Sequence, residues 1–287
     1  MAETILVVGA TGNTGSQTVR HLLKQGARVR ASVRSKGKIG DLDSSAVEIV
    51  EADVANLDSL SKASSGASRV FLVPPMLPDM AGFCDKWTQA AAKAGVHHIV
   101  KLSAIGTESE AIDLLRWHRA GERVIESSGV PWTFLRPNSF HQNFIAFNAA
   151  SIREQNVFYL PLADSAWSTV DISDIGGVAA QVLTNDSWAG QSIDITGPEA
   201  LTNSQIAKLF SKVLGREIQY VPVPDKAALD GMLAAQMPEW AAKAVLGLYQ
   251  YIREGRTAEV SDAVPKITGK PAISFQQFIE ANRKAFS

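Results

Sequence analysis

The chain has 287 residues, 46% of them hydrophobic and 20% charged, which suits a folded domain with a sizeable core. A formal net charge of −1 excludes a broad electrostatic attraction to nucleic acid or to an anionic membrane surface. Cys84 is the one cysteine, so an internal disulfide is excluded, and its thiol is expected to be a buried small hydrophobe in a reducing compartment.

The opening residues MAETILVVGATG pass straight into a strand pattern, without a basic stretch, a long apolar region and a cleavage site. No apolar run approaches bilayer length. The expectation is a cytoplasmic monomer or homodimer acting on a small molecule, with no nucleic-acid or membrane partner.

Through about residue 135, short β-branched runs alternate with amphipathic stretches, the mark of repeated β–α units. Strands are predicted at Thr4–Val8, Arg28–Val33, Val47–Val50, Arg69–Val73, His98–Leu102 and Trp132–Leu135, with helices near 13–25, 56–64, 79–94 and 111–128. Gly26, Gly95 and Gly129 each close one of these helices. After Pro137 the rhythm changes. Helices are predicted near 172–184, 203–214, 225–235, 239–254 and 274–285, with short strands near 157–160, 168–171, 191–195 and 217–221, and Pro222, Pro224, Pro238 and Pro265 are expected to break these pieces apart. The fold class is therefore α/β: a Rossmann-type doubly wound parallel sheet over residues 1–137, and a smaller C-terminal substrate lobe over 138–287, intertwined with the same domain.

The first β–α turn reads GATGNTG, from Gly9 through Ala10, Thr11, Gly12, Asn13 and Thr14 to Gly15. In this G-x-x-G-x-x-G spacing Gly9 makes the tight turn, Gly12 lets a pyrophosphate approach the backbone, and Gly15 permits close helix–strand contact. The helix N-terminus then offers unpaired N–H groups to the phosphates. An NAD-selective chain places an acid about 20 residues later, at the end of strand two. Here that segment reads ARVRASVRSKGKIG, with no acid before Asp41. Arg34 is the candidate partner of a 2′-phosphate, with Lys38 in the following loop, so NADP(H) is favoured; a solvated basic turn is the plainer alternative. Asp53 is placed to reach the adenine end. Val73, Pro74 and Pro75 end strand four, where they either run beneath the dinucleotide or merely stop the strand.

The stretches GATGNTG, ASVRS, EADV, HIVKLSAIG and GVPWTFLRPNSFHQNF together resemble the atypical short-chain dehydrogenase/reductases, and within them the NmrA-like group that contains triphenylmethane reductase and NAD(P)H:quinone oxidoreductases. The resemblance covers essentially the whole chain. It implies that Pro137, Asn138, Ser139 and Phe140 line the nicotinamide, and that His141, Asn143 and Phe144 face the acceptor. Trp87, Tyr159 and Trp167 are candidates for aromatic surface against a flat ligand, although each taken singly is better read as core. Ser103 occupies the place where the superfamily often has a substrate-binding serine and is a catalytic candidate as a polarising donor, and Lys101 reaches either the nicotinamide ribose or solvent.

Typical members use a tyrosine as proton donor, with a lysine four residues later. Tyr159, Tyr220, Tyr249 and Tyr251 are followed four residues on by Ala163, Pro224, Arg253 and Gly255, so that dyad is absent. In its place RWHRAGERV carries His118 and Glu122 on one helix face. His118 is either a general acid tuned by Glu122 or a satisfied polar residue locking the helix to the sheet, and the structural reading is favoured. No metal site is expected, since His97 and His98 precede a strand in which neighbours point oppositely. Flavin is unnecessary.

Two functions follow. The first is an NADPH-dependent reductase passing hydride directly to a quinone-like or other conjugated acceptor. The second is a non-catalytic NADP(H)-sensing regulatory protein.

Overall fold

In strand β1 (Thr4–Val8) successive residues enter opposite cores: Ile5 and Val7 join one apolar cluster, Leu6 and Val8 another. The computed structural model, which describes residues 3–35 and 45–287, repeats this two-sided burial along the sheet. A parallel sheet needs it, because helices must cover both faces. The strand order is β3 (Glu48–Glu51), β2 (Arg28–Val33), β1, β4 (Arg69–Leu72), β5 (His98–Leu102), β6 (Trp132–Pro137) and β8 (Gln191–Ile195), and every neighbouring pair is parallel. The order reverses between β1 and β4, which makes their carboxyl ends the crevice of a doubly wound sheet.

Helices α2 (Leu57–Ser64), α3 (Met80–Lys93) and α4 (Asp113–Glu126) cover one face through Leu60, Met80, Trp87 and Ile125. The other face is covered by α1 (Asn13–Lys24) and by two helices from far along the chain, α6 (Ile172–Leu183) and α10 (Ala263–Thr268), through Val19, Leu22, Ile175, Val178, Val182 and Val264. Helices α1 and α6 lie unusually close. A Cβ on Gly176 would stand 2.7 Å from Gln17 Cβ and 2.9 Å from the Thr18 nitrogen.

The rest of the second half builds a third core from α5 (Asn143–Gln155), β7 (Val157–Leu160), α7 (Asn203–Leu214), α9 (Glu239–Arg253), α11 (Phe275–Ala281) and α12 (Arg283–Phe286). Phe144, Phe158, Phe210, Phe275, Phe278 and Phe286 interlock there at ring separations near 5–6 Å. Strands β7 and β9 (Gln219–Pro222) form a separate two-stranded parallel sheet, and α8 (Asp225–Ala234) buries no residue. None of the described helices is long and apolar enough to cross a membrane.

Three sequence expectations are corrected. The strand expected at 168–171 is an extended segment held by two isolated bridges, Phe140 to Val170 and Trp167 to Leu201. The stretch after His141 was expected to run past an acceptor, but becomes α5, whose apolar residues are spread round the axis and give little periodicity. Pro265 breaks no helix; it sits in the first turn of α10, where its missing N–H costs nothing.

Replacing Gly176 with alanine is expected to force α1 and α6 apart and destabilise the fold by about 1–3 kcal/mol. A thermal melt beside the parent protein checks this, and an unchanged midpoint would show that the two helices separate freely.

Candidate active site

The carboxyl ends of β1 and β4 meet at the glycine turn. Gly9 has φ +78° and its carbonyl accepts from the Gly12 nitrogen at 3.0 Å, closing the turn. A Cβ on Gly9 would lie 3.0 Å from the Val73 carbonyl oxygen, and one on Gly15 only 2.1 Å from the Gly9 carbonyl oxygen. These positions exclude side chains for two reasons: one touches the neighbouring strand end, the other packs the helix onto the turn. Ala10 is buried in the core, Thr14 is buried in the first turn of α1, and Thr11 and Asn13 are exposed. Gly12 is the N-cap of α1, no side chain caps it, and no acid lies in the first turn. The free N–H groups and the helix dipole there suit a pyrophosphate.

Around this turn, Arg34 is exposed just past β2 and Asp53 is exposed past β3, its Oδ1 accepting from the Ala55 nitrogen at 2.9 Å. Val73 and Pro74 are half-buried and Pro75 is exposed. Lys38 lies outside the described residues. Pro137 ends β6, and its carbonyl accepts from the Ile105 nitrogen at 3.0 Å. Asn138 is buried, its amide donating to Ser168 Oγ and to the Thr257 carbonyl, both at 2.9 Å. It therefore ties the strand end to the second half. Ser139 and Phe140 are half-buried beyond it.

Most of the residues expected to face an acceptor are in cores. Trp87, a residue of α3, is buried against the sheet; Phe144 and Trp167 belong to the aromatic core of the second half. His141 is buried between Thr169 Oγ1 at 2.8 Å and the Ile273 carbonyl at 3.3 Å, and burial pushes its pKa down to about 4. Tyr159 is 44% exposed and its hydroxyl donates to Gln155. Asn143, the first residue of α5, is half-buried.

The largest departure concerns Glu122. This carboxylate is fully buried, and Arg136 grips it with two bonds, Nε to Oε1 at 3.0 Å and Nη2 to Oε2 at 2.8 Å. Ser103 donates to Oε1 at 2.6 Å, and Arg119 to Oε2 at 3.1 Å. Burial alone would raise its pKa, but the bonds from Arg136 and Ser103 outweigh it and hold the carboxyl below its ordinary range. Glu122 is thus spent on β6, not on tuning His118, and the Ser103 hydroxyl is already committed to it. Lys101 is also corrected: it reaches neither ribose nor solvent, but is completely buried, with Nζ donating to His118 Nδ1 and to the Leu102 carbonyl, each at 3.2 Å. The sequence pattern points to Ser103, Lys101, His118 and Glu122 but not to how they pair. The i, i+4 spacing suggested a His–Glu couple, whereas the bonds run from helix to strand. No cluster of metal-ligating side chains occurs among the described residues.

The fold and the glycine turn define a Rossmann-type dinucleotide-binding protein. The model of the NmrA-like family matches residues 1–270, and the chain belongs to that family. It is 36% identical to the NAD(P)H azoreductase of Xenophilus azovorans over 98% of this chain and 99% of the relative. To a (4-alkanoyl-5-oxo-2,5-dihydrofuran-3-yl)methyl phosphate reductase of Streptomyces griseus it is 33% identical, over 99% of each chain. The triphenylmethane reductase of Citrobacter sp., solved in complex with NADP(H), superposes with a TM-score of 0.87 and 25% identity, over 96% of this chain and 99% of that one.

Replacing Glu122 with alanine removes the buried counter-charge of Arg136, leaving it only the exposed Glu108, and is expected to cost about 3–5 kcal/mol of stability. Because the folded-state pKa of Glu122 lies below its unfolded value, the contribution is present at neutral pH and lost as acid protonates the carboxyl. Urea unfolding at neutral and acid pH reads both: the loss in Glu122→Ala should be large near pH 7 and shrink below the carboxylate range.

Proposed function

We propose that this protein is an NADPH-dependent reductase that passes hydride to a quinone-like or other conjugated small molecule, without a tyrosine–lysine dyad. One observation carries the reading. The uncapped N-terminus of α1 faces the glycine turn at the crevice, in a chain alike along its whole length to named reductases. The protein is an NAD(P)H-dependent oxidoreductase.

In this reading the backbone of Gly12 to Gly15 holds the pyrophosphate, and Arg34 at the tip of β2 selects the 2′-phosphate. The segment from Pro137 to Phe140 fixes the nicotinamide side, with Asn138 held by Ser168 and Thr257 so that this wall does not move. When bound, the reduced nicotinamide supplies the hydride. The chain's work is then orientation and exclusion of water, which suits acceptors such as quinones, azo compounds and dye cations that take hydride at an electron-poor atom.

A panel of quinones, azo dyes and triphenylmethane dyes, followed by loss of NADPH absorbance, tests the activity; no turnover with any of them despite NADPH binding would favour the regulatory reading. Arg34→Gln is expected to weaken NADPH binding by roughly tenfold to a hundredfold, the worth of a charge-assisted bond, and to leave NADH binding nearly unchanged. Titration calorimetry with both coenzymes decides it, and equal losses would remove Arg34 from the 2′-phosphate.

A further inference from the structure

The Lys101–His118 pair is left unused by that function. We propose that Lys101 is a positioning residue: by donating to His118 Nδ1 it forces the imidazole into its neutral Nε2–H form, which donates to the heteroatom of the acceptor as hydride arrives. The inference rests on the reductase reading and adds the proton route to it.

The geometry requires the tautomer. An ammonium has only donors, so the 3.2 Å contact makes Nδ1 an acceptor and leaves the ring hydrogen on Nε2. Nε2 has no hydrogen-bond partner among the described residues, so its donor is free. Position agrees. Helix α4 runs back antiparallel to the strands it connects, so its earlier turns stand toward their carboxyl ends. Glu122 already reaches Ser103 and Arg136 at those ends, and His118 is one turn nearer the crevice. The ring is half-buried, enough to be dry and still reachable.

The cation is also placed unlike a structural one. Lys101 is wholly enclosed, yet its two directional bonds go to a carbonyl and an imidazole, while the Glu122 oxygens are occupied by Ser103, Arg136 and Arg119. The backbone makes room for it. A Cβ on Gly121 would stand 3.2 Å from Lys101 Cε and 2.9 Å from Cys84 Sγ. The titratable and charged groups that face the pair are Cys84 of α3, whose thiol burial keeps neutral, Glu122 of α4 and Arg136 of β6. Burial is the largest influence on Lys101 and lowers its pKa to about 8, and burial followed by the Lys101 charge holds His118 well below its usual value.

For a quinone the step balances as follows. Hydride from NADPH adds to the ring system and leaves one oxygen as an anion. His118 Nε2–H gives its proton to that oxygen, while Nδ1 takes a proton from Lys101 Nζ. The product is then neutral, and it becomes the hydroquinone by tautomerisation, which moves a hydrogen from the ring carbon to the second oxygen; Lys101 is recharged from water through the same ring after release. The arrangement restores, from a strand lysine and a helix histidine, the charge-assisted donor that the missing tyrosine–lysine pair would supply.

Imidazole ¹⁵N spectra of the coenzyme-free protein test the tautomer without any turnover. The expected result is one histidine, protonated on Nε2, that stays neutral well below the ordinary histidine range and whose signals are lost in His118→Gln. In Lys101→Met, the pKa of that ring should rise, while burial still keeps it below its ordinary value. With NADPH and an accepted quinone, kcat should fall as pH rises through about 8, and should drop about 10²-fold in His118→Gln and tenfold or more in Lys101→Met, with NADPH affinity unchanged. An Nδ1–H tautomer, an ordinary titration of His118, or variants that keep the parental kcat and pH profile would overturn the proposal. A parent protein that binds NADPH but reduces no acceptor would instead overturn the reductase reading, with the spectra still deciding the tautomer.

Discussion

A carboxylate with no solvent exposure must be matched by donors at every lone pair, and Glu122 meets that demand with Arg136, Ser103 and Arg119. The bonds tie three segments together: helix α4, the loop after β5 and the tip of β6. The carboxyl edge of the sheet is rigid on this side because those segments cannot shift independently without exposing or orphaning a charge. Arg136 also reaches Glu108 at 2.8 Å, so the loop between β5 and α4 is drawn into the same network. The free face of His118 and the wall from Pro137 to Phe140 are both set by this anchor.

The two halves of the chain divide the labour at that edge. The first half supplies the glycine turn and the strand tips. The second half braces them: α6 presses on α1 through Gly176, and Asn138 is clasped by Ser168 and Thr257. The aromatic residues of the second half serve mainly to pack its own core, which explains why a sequence rich in plausible acceptor-binding rings presents so few of them to solvent. Phe144 touches Phe158, Phe210 and Phe275. Rings so engaged have no face left for a ligand.

The repeated β–α units were legible in the sequence because period-two and period-3.6 patterns are strong where both sheet faces are buried; β1, β2 and β5 fall on their expected residues. The glycine turn was legible for a similar reason, since the crowding at Gly9 and Gly15 forbids other residues. What was not legible was pairing across elements. His118 and Glu122 share a helix face, and only the fold shows that each looks to a different strand residue. Helix α5 was missed because its buried side of Phe144, Asn148, Ala149 and Ile152 includes a polar residue while Phe147 is 66% exposed, so no clean apolar stripe appears. Trp87 and Trp167 illustrate the same limit, as an aromatic residue carries no mark of which side of a wall it will occupy.

The last strand of the large sheet and two of its covering helices arrive late in synthesis. A ribosome that has released only the first 137 residues has made β1 to β6, yet Val7, Phe71, Val100 and Leu135 still lack the apolar cover that Ile175, Val178 and Val182 bring. Such a nascent chain exposes a broad oily surface until about residue 195 has emerged, and pairing over so long a separation is slow. Premature truncation or slow translation in that interval would therefore present a sticky intermediate to chaperones, whatever coenzyme the finished protein holds.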